Sequence, residues 1–355
     1  MKKIGVLTFH RAINYGAVLQ TYALQKFLKR QNFNASVLDY RCLKIEKDYK
    51  LNFFTFNIKK LISSLVLLSK KFKFNKFINK NIVLTKPVYN KEDLENISKE
   101  LDYVCVGSDQ VWNGRWTDND KRYYLDFTDS YKKISYAASL GKNAMSLKEK
   151  TEYTELLNDF KKLSVREQSS AELLSGFLNK NISTHLDPVF LLEKNEWNKV
   201  AKTIRDSNYV LVYMLVPSDN LIKKAIDLAK RKNLNVIILN DNIRKRYNIE
   251  YRRFVSIEKF LGYFKNASYV ITNSFHGTAF SVVYEKNFFV ELQTYKNAPN
   301  MRMIDLLKVF DLNERIFDEN SDLSIYNNIN YHIVNRKKYK MIKEVTDYFN
   351  ELKDL

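Results

Sequence analysis

Residues 269–293 read YVITNSFHGTAFSVVYEKNFFVELQ. An apolar run ends on Asn273 and Ser274, and a second one, NFFVELQ, begins at Asn287. Between them, from Phe275 to Glu285, lies a proline-free stretch that reads as a helix. Ser274 stands at its N-cap, where a hydroxyl accepts an N–H of the first turn. Strand, helix and strand in close succession form a βαβ unit, whose strands run parallel. Parallel strands need cover on both faces, so this stretch predicts a buried sheet in an α/β domain. His276, one of four histidines, falls in the first turn of the helix, followed by Gly277.

The pattern repeats along the chain. KIGVLTF (3–9) reads as a strand and leads into a helix from about Ala17 to Arg30; ASVLDY (35–40) reads as a second strand. DYVCVGSD (102–109), KISYAAS (133–139) and KLSVRE (162–167) read as buried strands with polar ends. THLDPVFLL closes the first half, and Pro188 disfavours helix there. The second half begins near Glu193 with YVLVYML (209–215), a helix over 219–232, NVIILN (235–240) and a helix over SIEKFLGYFKNA. An amphipathic stretch at 332–354 predicts a terminal helix. The expected architecture is α/β, with two Rossmann-like doubly wound domains facing a cleft, residues 1–192 and 193–330, and a C-terminal helix over 331–355. A basic helical insertion is expected at about 50–85.

Composition narrows the function class. The chain has 355 residues, 45% of them apolar, which fits two packed domains and excludes disorder. Two unpaired cysteines, Cys42 and Cys105, argue against a disulfide framework or a thiolate metal site and for a reducing, cytoplasmic setting. The opening MKKIGVLTFH has no signal-type apolar core, and no run approaches the roughly 20 apolar residues of a membrane span. The net charge is +19, from 59 Lys and Arg against 40 Asp and Glu. Such an excess predicts anionic partners: phosphorylated small molecules, an acidic membrane face or nucleic acid. It is concentrated between Tyr49 and Lys91, where ten lysines and no acidic residue occur among Phe, Leu and Ile. That segment predicts an amphipathic hairpin at an anionic membrane surface, against the plainer reading of a solvated basic hairpin.

Glycine is scarce, with 8 in the chain, so each one present more often answers a backbone need. Gly16, Gly107, Gly141 and Gly277 all sit where strands give way to loops or helices. In open parallel sheets, ligands bind outside the carboxyl ends of the strands. The strand ends that qualify are HRAINYG (10–16), GSDQVWN (107–113), VREQSS (165–170) and NSFHG (273–277). Each has a plain alternative. Asn14 and Gly16 also suit a tight turn into a helix, Asp109 an Asx turn, and Arg166 a pairing with Glu167 at a helix start. His276 also suits a helix-start histidine bonded to a carbonyl. His10 is a weaker candidate, and His185 and His332 read as structural.

The segments TFHRAINYGAVLQTYALQKFL, VGSDQVWN, SYAASLG, SVRE, LDPVFLL and ITNSFHGTAFSVVYEKNFFV occur here in the order and spacing of a known family. From Lys3 to about Arg315 the chain resembles the polysaccharide pyruvyl transferases, with the basic insertion outside the likeness. The resemblance implies a GT-B-like fold. It also implies transfer of pyruvate from phosphoenolpyruvate to a sugar hydroxyl pair, giving a ketal on a cell-surface polysaccharide or a lipid-linked precursor. No cofactor is expected beyond the donor co-substrate. His276 is implied as general acid/base and Arg166 as an anion ligand; the position of His276 after a buried strand, between the Ser274 cap and Gly277, predicts a ring exposed at the cleft. From their place at the strand ends, Asn14, Gly16, Gly107, Ser108, Asp109, Gln110, Ser274 and Gly277 are expected as substrate contacts. Several relatives carry Arg where this chain has Ser274; Lys296, Arg302 or Arg11 is expected to supply the missing cation.

The chemistry suits these residue types. Phosphoenolpyruvate carries a carboxylate and a phosphate, which call for cations and helix N-terminal amides. Protonation of the enol carbon calls for a general acid that works near neutral pH, which histidine supplies. A nucleotide-sugar glycosyltransferase is the nearest rival on the same fold, since fold does not decide function. A basic nucleic-acid-binding protein is the distant one, because the chain has no recognisable RNA- or DNA-binding signature. No G-x-S-x-G, Walker A or G-x-G-x-x-G pattern occurs, and no paired His or Cys spacing points to a metal.

Overall fold

The computed structural model describes residues 1–50, 58–142, 144–240, 247–295, 298 and 300–353, residues 58–63 by their backbone alone. Within these the chain forms two compact units. The first comprises Met1–Leu61, Asn75–Leu191 and Lys338–Leu355; the second comprises Ile62–Phe74 and Leu192–Lys337.

The first unit begins with β1 (Lys3–Leu7), α1 (Tyr15–Arg30), β2 (Asn34–Val37) and α2 (Leu43–Asp48). Then comes α3 (Ile58–Asn81), whose residues 62–74 count with the second unit. One continuous helix thus spans most of the basic segment in place of the expected hairpin. It is followed by α4 (Lys91–Lys99), β3 (Tyr103–Val106), α5 (Gly114–Thr117), β4 (Lys133–Ser135), α6 (Leu147–Leu157), β5 (Leu163–Val165), α7 (Gln168–Ser175) and β6 (Ile182–Thr184). The sheet order is β2-β1-β3-β4, all parallel, with Val6 level with both Val37 and Cys105. Single parallel bridges join Ile134 to Lys162 and Val37 to Leu84, so β5–β6 continue one edge and the chain near Leu84 borders the other. β3 is buried at all four positions, as a central parallel strand with covered faces must be. Helix α1 lies buried from Tyr15 to Gln25, and its basic end, Lys29 and Arg30, suits the negative pole of the helix dipole.

The second unit runs α8 (Lys194–Val200), β7 (Tyr209–Tyr213), α9 (Asp219–Lys232), β8 (Asn235–Leu239), β9 (Glu250–Arg252), α10 (Ile257–Asn266), β10 (Tyr269–Thr272), α11 (Phe275–Val283), β11 (Asn287–Glu291), α12 (Met301–Val309) and β12 (Ile316–Phe317). Its six strands lie in the order β12-β11-β10-β7-β8-β9, all parallel. By position along the unit this is 6-5-4-1-2-3, the doubly wound Rossmann order. Helix α9 shows why: Leu221, Ile222, Ala225, Leu228 and Ala229 make one apolar side, buried against a core of Val210, Val212, Ile238 and Ile271. Each large side chain so buried stabilises the unit by about 1.5–3 kcal/mol. The last helix, α13 (Tyr331–Asn350), gives its start to the second unit and everything from Lys338 onward to the first.

In a sheet of this order the chain leaves β1 and β3, or β7 and β10, towards opposite faces. Loops at the carboxyl ends of those neighbours therefore part and leave room for a ligand.

Candidate active site

In the first unit the two diverging loops are Thr8–Asn14 and Gly107–Asn113. They are tied directly: the Thr8 hydroxyl donates to the Ser108 carbonyl at 2.8 Å, and Gln20 holds the same hydroxyl at 2.8 Å. Asn14 caps α1, its side chain accepting from the Ala17 N–H, and Gly16 is buried in the first turn. Gly107 has φ +113, and a Cβ there would meet the Tyr136 carbonyl at 2.2 Å, so only glycine fits. Asp109, at φ 77, accepts from the Gln110 N–H at 2.9 Å. Gln110 in turn accepts from the Asn113 amide at 2.8 Å.

Two buried ion clusters flank these loops. Asp39, just beyond β2, accepts from His10 Nε2 at 2.9 Å and from Arg11 at 2.8 and 2.6 Å, and Arg41 stands 3.0 Å away. Burial alone would raise the Asp39 carboxyl, but the bonds from His10 and Arg11 prevail and hold it well below the usual carboxylate range. The second cluster surrounds Arg166, which is 7% exposed. Its guanidinium donates to Glu167 at 3.0 Å and to Asp187 at 2.9 Å, with Asp109 at 3.9 Å. Asp187 also lies 3.4 Å from the Ser108 hydroxyl, which joins the cluster to the loop after β3. Arg166 therefore already sits among three carboxylates, and a dianion brought to it would meet their charge as well.

In the second unit the two diverging loops, after β7 and β10, are held by neutral groups. Asn273 accepts from the Leu215 N–H at 2.9 Å and donates to the Val216 carbonyl at 2.8 Å, pinning the loop after β10 to the loop after β7. Ser274 caps α11, accepting from the Gly277 N–H at 3.3 Å, while its own N–H donates to the Thr272 hydroxyl at 3.1 Å. A Cβ on Gly277 would meet that hydroxyl at 2.3 Å and the Tyr213 ring at 3.0 Å, so the glycine lets the first turn close onto the strands. His276 is 8% exposed, with its ring edge-on to Phe275 at 5.2 Å between centres. Its expected exposure is thus corrected: the first turn of a buried helix keeps the ring inside. Arg302, on α12, holds its guanidinium 5.8 Å from the centre of the Phe275 ring, one residue from His276. Lys296 lies outside the described residues.

The sequence-derived residues thus gather in two groups. Asn14, Gly16, Gly107, Ser108, Asp109, Gln110 and Arg166 belong to the first unit; Ser274, His276, Gly277 and Arg302 belong to the second. Asp39 and Asp187 had drawn no notice in the sequence, although each is an acidic residue where a strand or bridge ends. His185 is structural in its setting: its Nδ1 lies 2.7 Å from the Ser164 hydroxyl, and its ring stacks on Tyr136. Burial, and then Lys162, push its pKa down to about 4. His332 is exposed on α13. Among the described residues no group of His, Cys, Asp and Glu could hold a metal ion, and no helix is long and apolar enough to cross a membrane.

Two solved structures share the fold. One is a Listeria monocytogenes protein described as a UDP-N-acetylglucosamine 2-epimerase, 10% identical, covering 98% of this chain and 97% of its own, with a TM-score of 0.52. The other is Arabidopsis thaliana UGT89C1 complexed with quercetin, 9% identical, covering 98% and 99%, with a TM-score of 0.51. At these identities the likeness concerns the fold alone, which is α/β, Rossmann-like and of GT-B type. No curated protein sequence matches the chain. The polysaccharide pyruvyl transferase family model matches residues 14–290, a span that holds the loops after β3, β5 and β10 and the whole of α11, and the chain belongs to that family.

Proposed function

We propose that the protein transfers pyruvate from phosphoenolpyruvate to two hydroxyls of a sugar, forming a cyclic ketal on a cell-surface polysaccharide or its lipid-linked precursor. The observation that carries this reading is the first turn of α11. A histidine is held there, beside capped backbone amides and one residue from the Phe275 ring that Arg302 covers. Helix N-terminal N–H groups and an arginine are suited to an anionic donor, and the imidazole to proton transfer.

In the proposed reaction His276 protonates the CH2 carbon of phosphoenolpyruvate, and the neighbouring carbon takes up the first sugar hydroxyl oxygen. The bond from that carbon to the phosphate oxygen breaks, and inorganic phosphate leaves. The second hydroxyl then closes the ring, leaving a methyl group and a carboxylate on the ketal carbon. The two hydroxyl protons balance the one delivered to carbon and the one carried off by phosphate. Asp109 is assigned to a sugar hydroxyl as acceptor. Arg166, among Asp187, Glu167 and Asp109, is assigned to positioning those carboxylates and not to the donor's charge.

The test is a donor screen by mass spectrometry, offering phosphoenolpyruvate or UDP-sugars with a panel of sugar and lipid-linked acceptors. A pyruvyl ketal with equimolar phosphate is the expected product. Glycosyl transfer with release of UDP, and no reaction with phosphoenolpyruvate, would replace this reading with the glycosyltransferase one.

A further inference from the structure

Helix α3 lies in the part of the chain where lysines abound and acidic residues are missing. Its inner side is closed: Ser64, Phe74, Phe77 and Ile78 are buried, and Lys73 donates to the Phe254 carbonyl at 2.7 Å. Its outer side is not polar throughout, as an exposed helix face usually is. Leu65, Leu68 and Phe72 are 54%, 44% and 68% exposed, and Lys76 and Lys80 continue the line at four-residue steps. These five positions form a single stripe, since residues three and four apart share a helix face. The first half of the stripe is apolar and the second half cationic.

We infer that this stripe is where the protein rests on an anionic lipid bilayer, with Phe72, Leu68 and Leu65 entering the interface and Lys76 and Lys80 meeting the headgroups. Three neighbouring apolar side chains in water have no use to a solvated surface, whereas an interfacial helix needs such a half-stripe. Charge selects the occupant. A second copy of this chain would set lysines against lysines in a protein of net charge +19. Nucleic acid would satisfy the lysines and leave Leu65, Leu68 and Phe72 in water. Anionic lipid satisfies both halves. Docking of this kind would bring the enzyme to lipid-linked acceptors, but vesicle binding needs no turnover, so its failure leaves pyruvyl transfer untouched.

The experiment is co-sedimentation of the full chain with vesicles of equal parts phosphatidylcholine and phosphatidylglycerol, and with phosphatidylcholine alone. Binding to the anionic vesicles that weakens with salt is expected, with little binding to the neutral ones. Phe72→Ser should lower the partition coefficient about tenfold. Lys76→Gln and Lys80→Gln should each lower it about fivefold, the equivalent of ~1 kcal/mol per cation near such a surface. Thermal melting should be unchanged, because all three side chains are exposed. No binding to anionic vesicles at low salt overturns the inference, and so does binding that survives all three substitutions. Displacement from vesicles by short duplex DNA, with no dependence on Phe72, would assign the basic face to nucleic acid instead.

Discussion

The two units share a plan and differ in how they use charge. Both place parallel strands around a switch point and send two diverging loops from it. In the first unit those loops are locked by ions: His10, Arg11 and Arg41 converge on Asp39, and Arg166 lies among Asp187, Glu167 and Asp109. In the second unit Thr272, Asn273, Ser274 and Gly277 do the same work with hydroxyls, an amide and a bare backbone. Charges that already satisfy one another have little left for a ligand, while a neutral, capped helix start keeps its partial positive charge for one. The difference teaches that a dense cluster of ionic side chains can serve to lock loops, which is why the proposed donor site is placed at the neutral helix start.

The largest effect expected from this contrast concerns His276. His276→Gln keeps a polar side chain of similar reach and removes the proton shuttle. Turnover should fall about 10²- to 10⁴-fold while the melting point stays near that of the native chain. Steady-state phosphate release and a thermal melt check this together. Retention of more than about a tenth of turnover would mean the proton comes from elsewhere.

Arg166 should respond in the opposite way. Removing one partner from a buried ion cluster leaves uncompensated charge and costs about 3–5 kcal/mol. Arg166→Ala should therefore lower stability by that amount in urea unfolding, and Arg166→Lys should recover part of it, since an ammonium cannot make the forked contact. The donor KM measured on the folded protein should move little. Weakened phosphoenolpyruvate binding at undiminished stability would make Arg166 an anion ligand and end the contrast between the units.

How much of this the sequence showed depends on distance along the chain. Local order was readable: Ser274 as N-cap, the helix beginning at Phe275 and the strand from Asn287 all follow from neighbours within a few residues. The partners of charges were not. His10 meets Asp39 across 29 residues and Arg166 meets Asp187 across 21, and no periodicity encodes such meetings. The burial of His276 was hidden for a related reason, because a position at a helix start does not reveal what packs over it. Nor did the acid-free segment show its form; a single helix runs where lysine spacing alone also suited a hairpin.

His185 offers a smaller effect, through pH. Its pKa is lowered to about 4 in the folded protein by burial, from 6.5 when unfolded. The unfolded chain therefore binds more protons between those values, and stability falls as pH drops from about 6.5 to about 4. The loss from this group should approach about 3 kcal/mol across that window, and above it the contribution is constant. Urea unfolding of native protein and His185→Phe at several pH values would show it. The variant should have the flatter profile between pH about 4 and 6.5, and equal slopes would mean that His185 ionises freely.

The smallest effect separates the units most directly, because both candidate helices carry a cap. Asn14 caps α1 and Ser274 caps α11, each through a side-chain oxygen on a first-turn N–H. Replacing either by alanine should cost about 1 kcal/mol of stability. Beyond that shared cost they should differ. In the first unit the loop is also held by the bond from Thr8 to Ser108 and by Arg11 on Asp39, so Asn14→Ala should leave kcat close to normal, with any loss of its substrate contact read in KM. In the second unit the capped N–H belongs to Gly277, the neighbour of His276, and losing the cap frees the turn that aims the imidazole. Ser274→Ala should therefore lower kcat about tenfold for the same loss of stability, a misplacement cost at the low end for a positioned catalytic group. Equal kcat values for the two variants would show that α11 holds His276 without its cap, and that the neutral loops of the second unit are set by Asn273 and Thr272 alone.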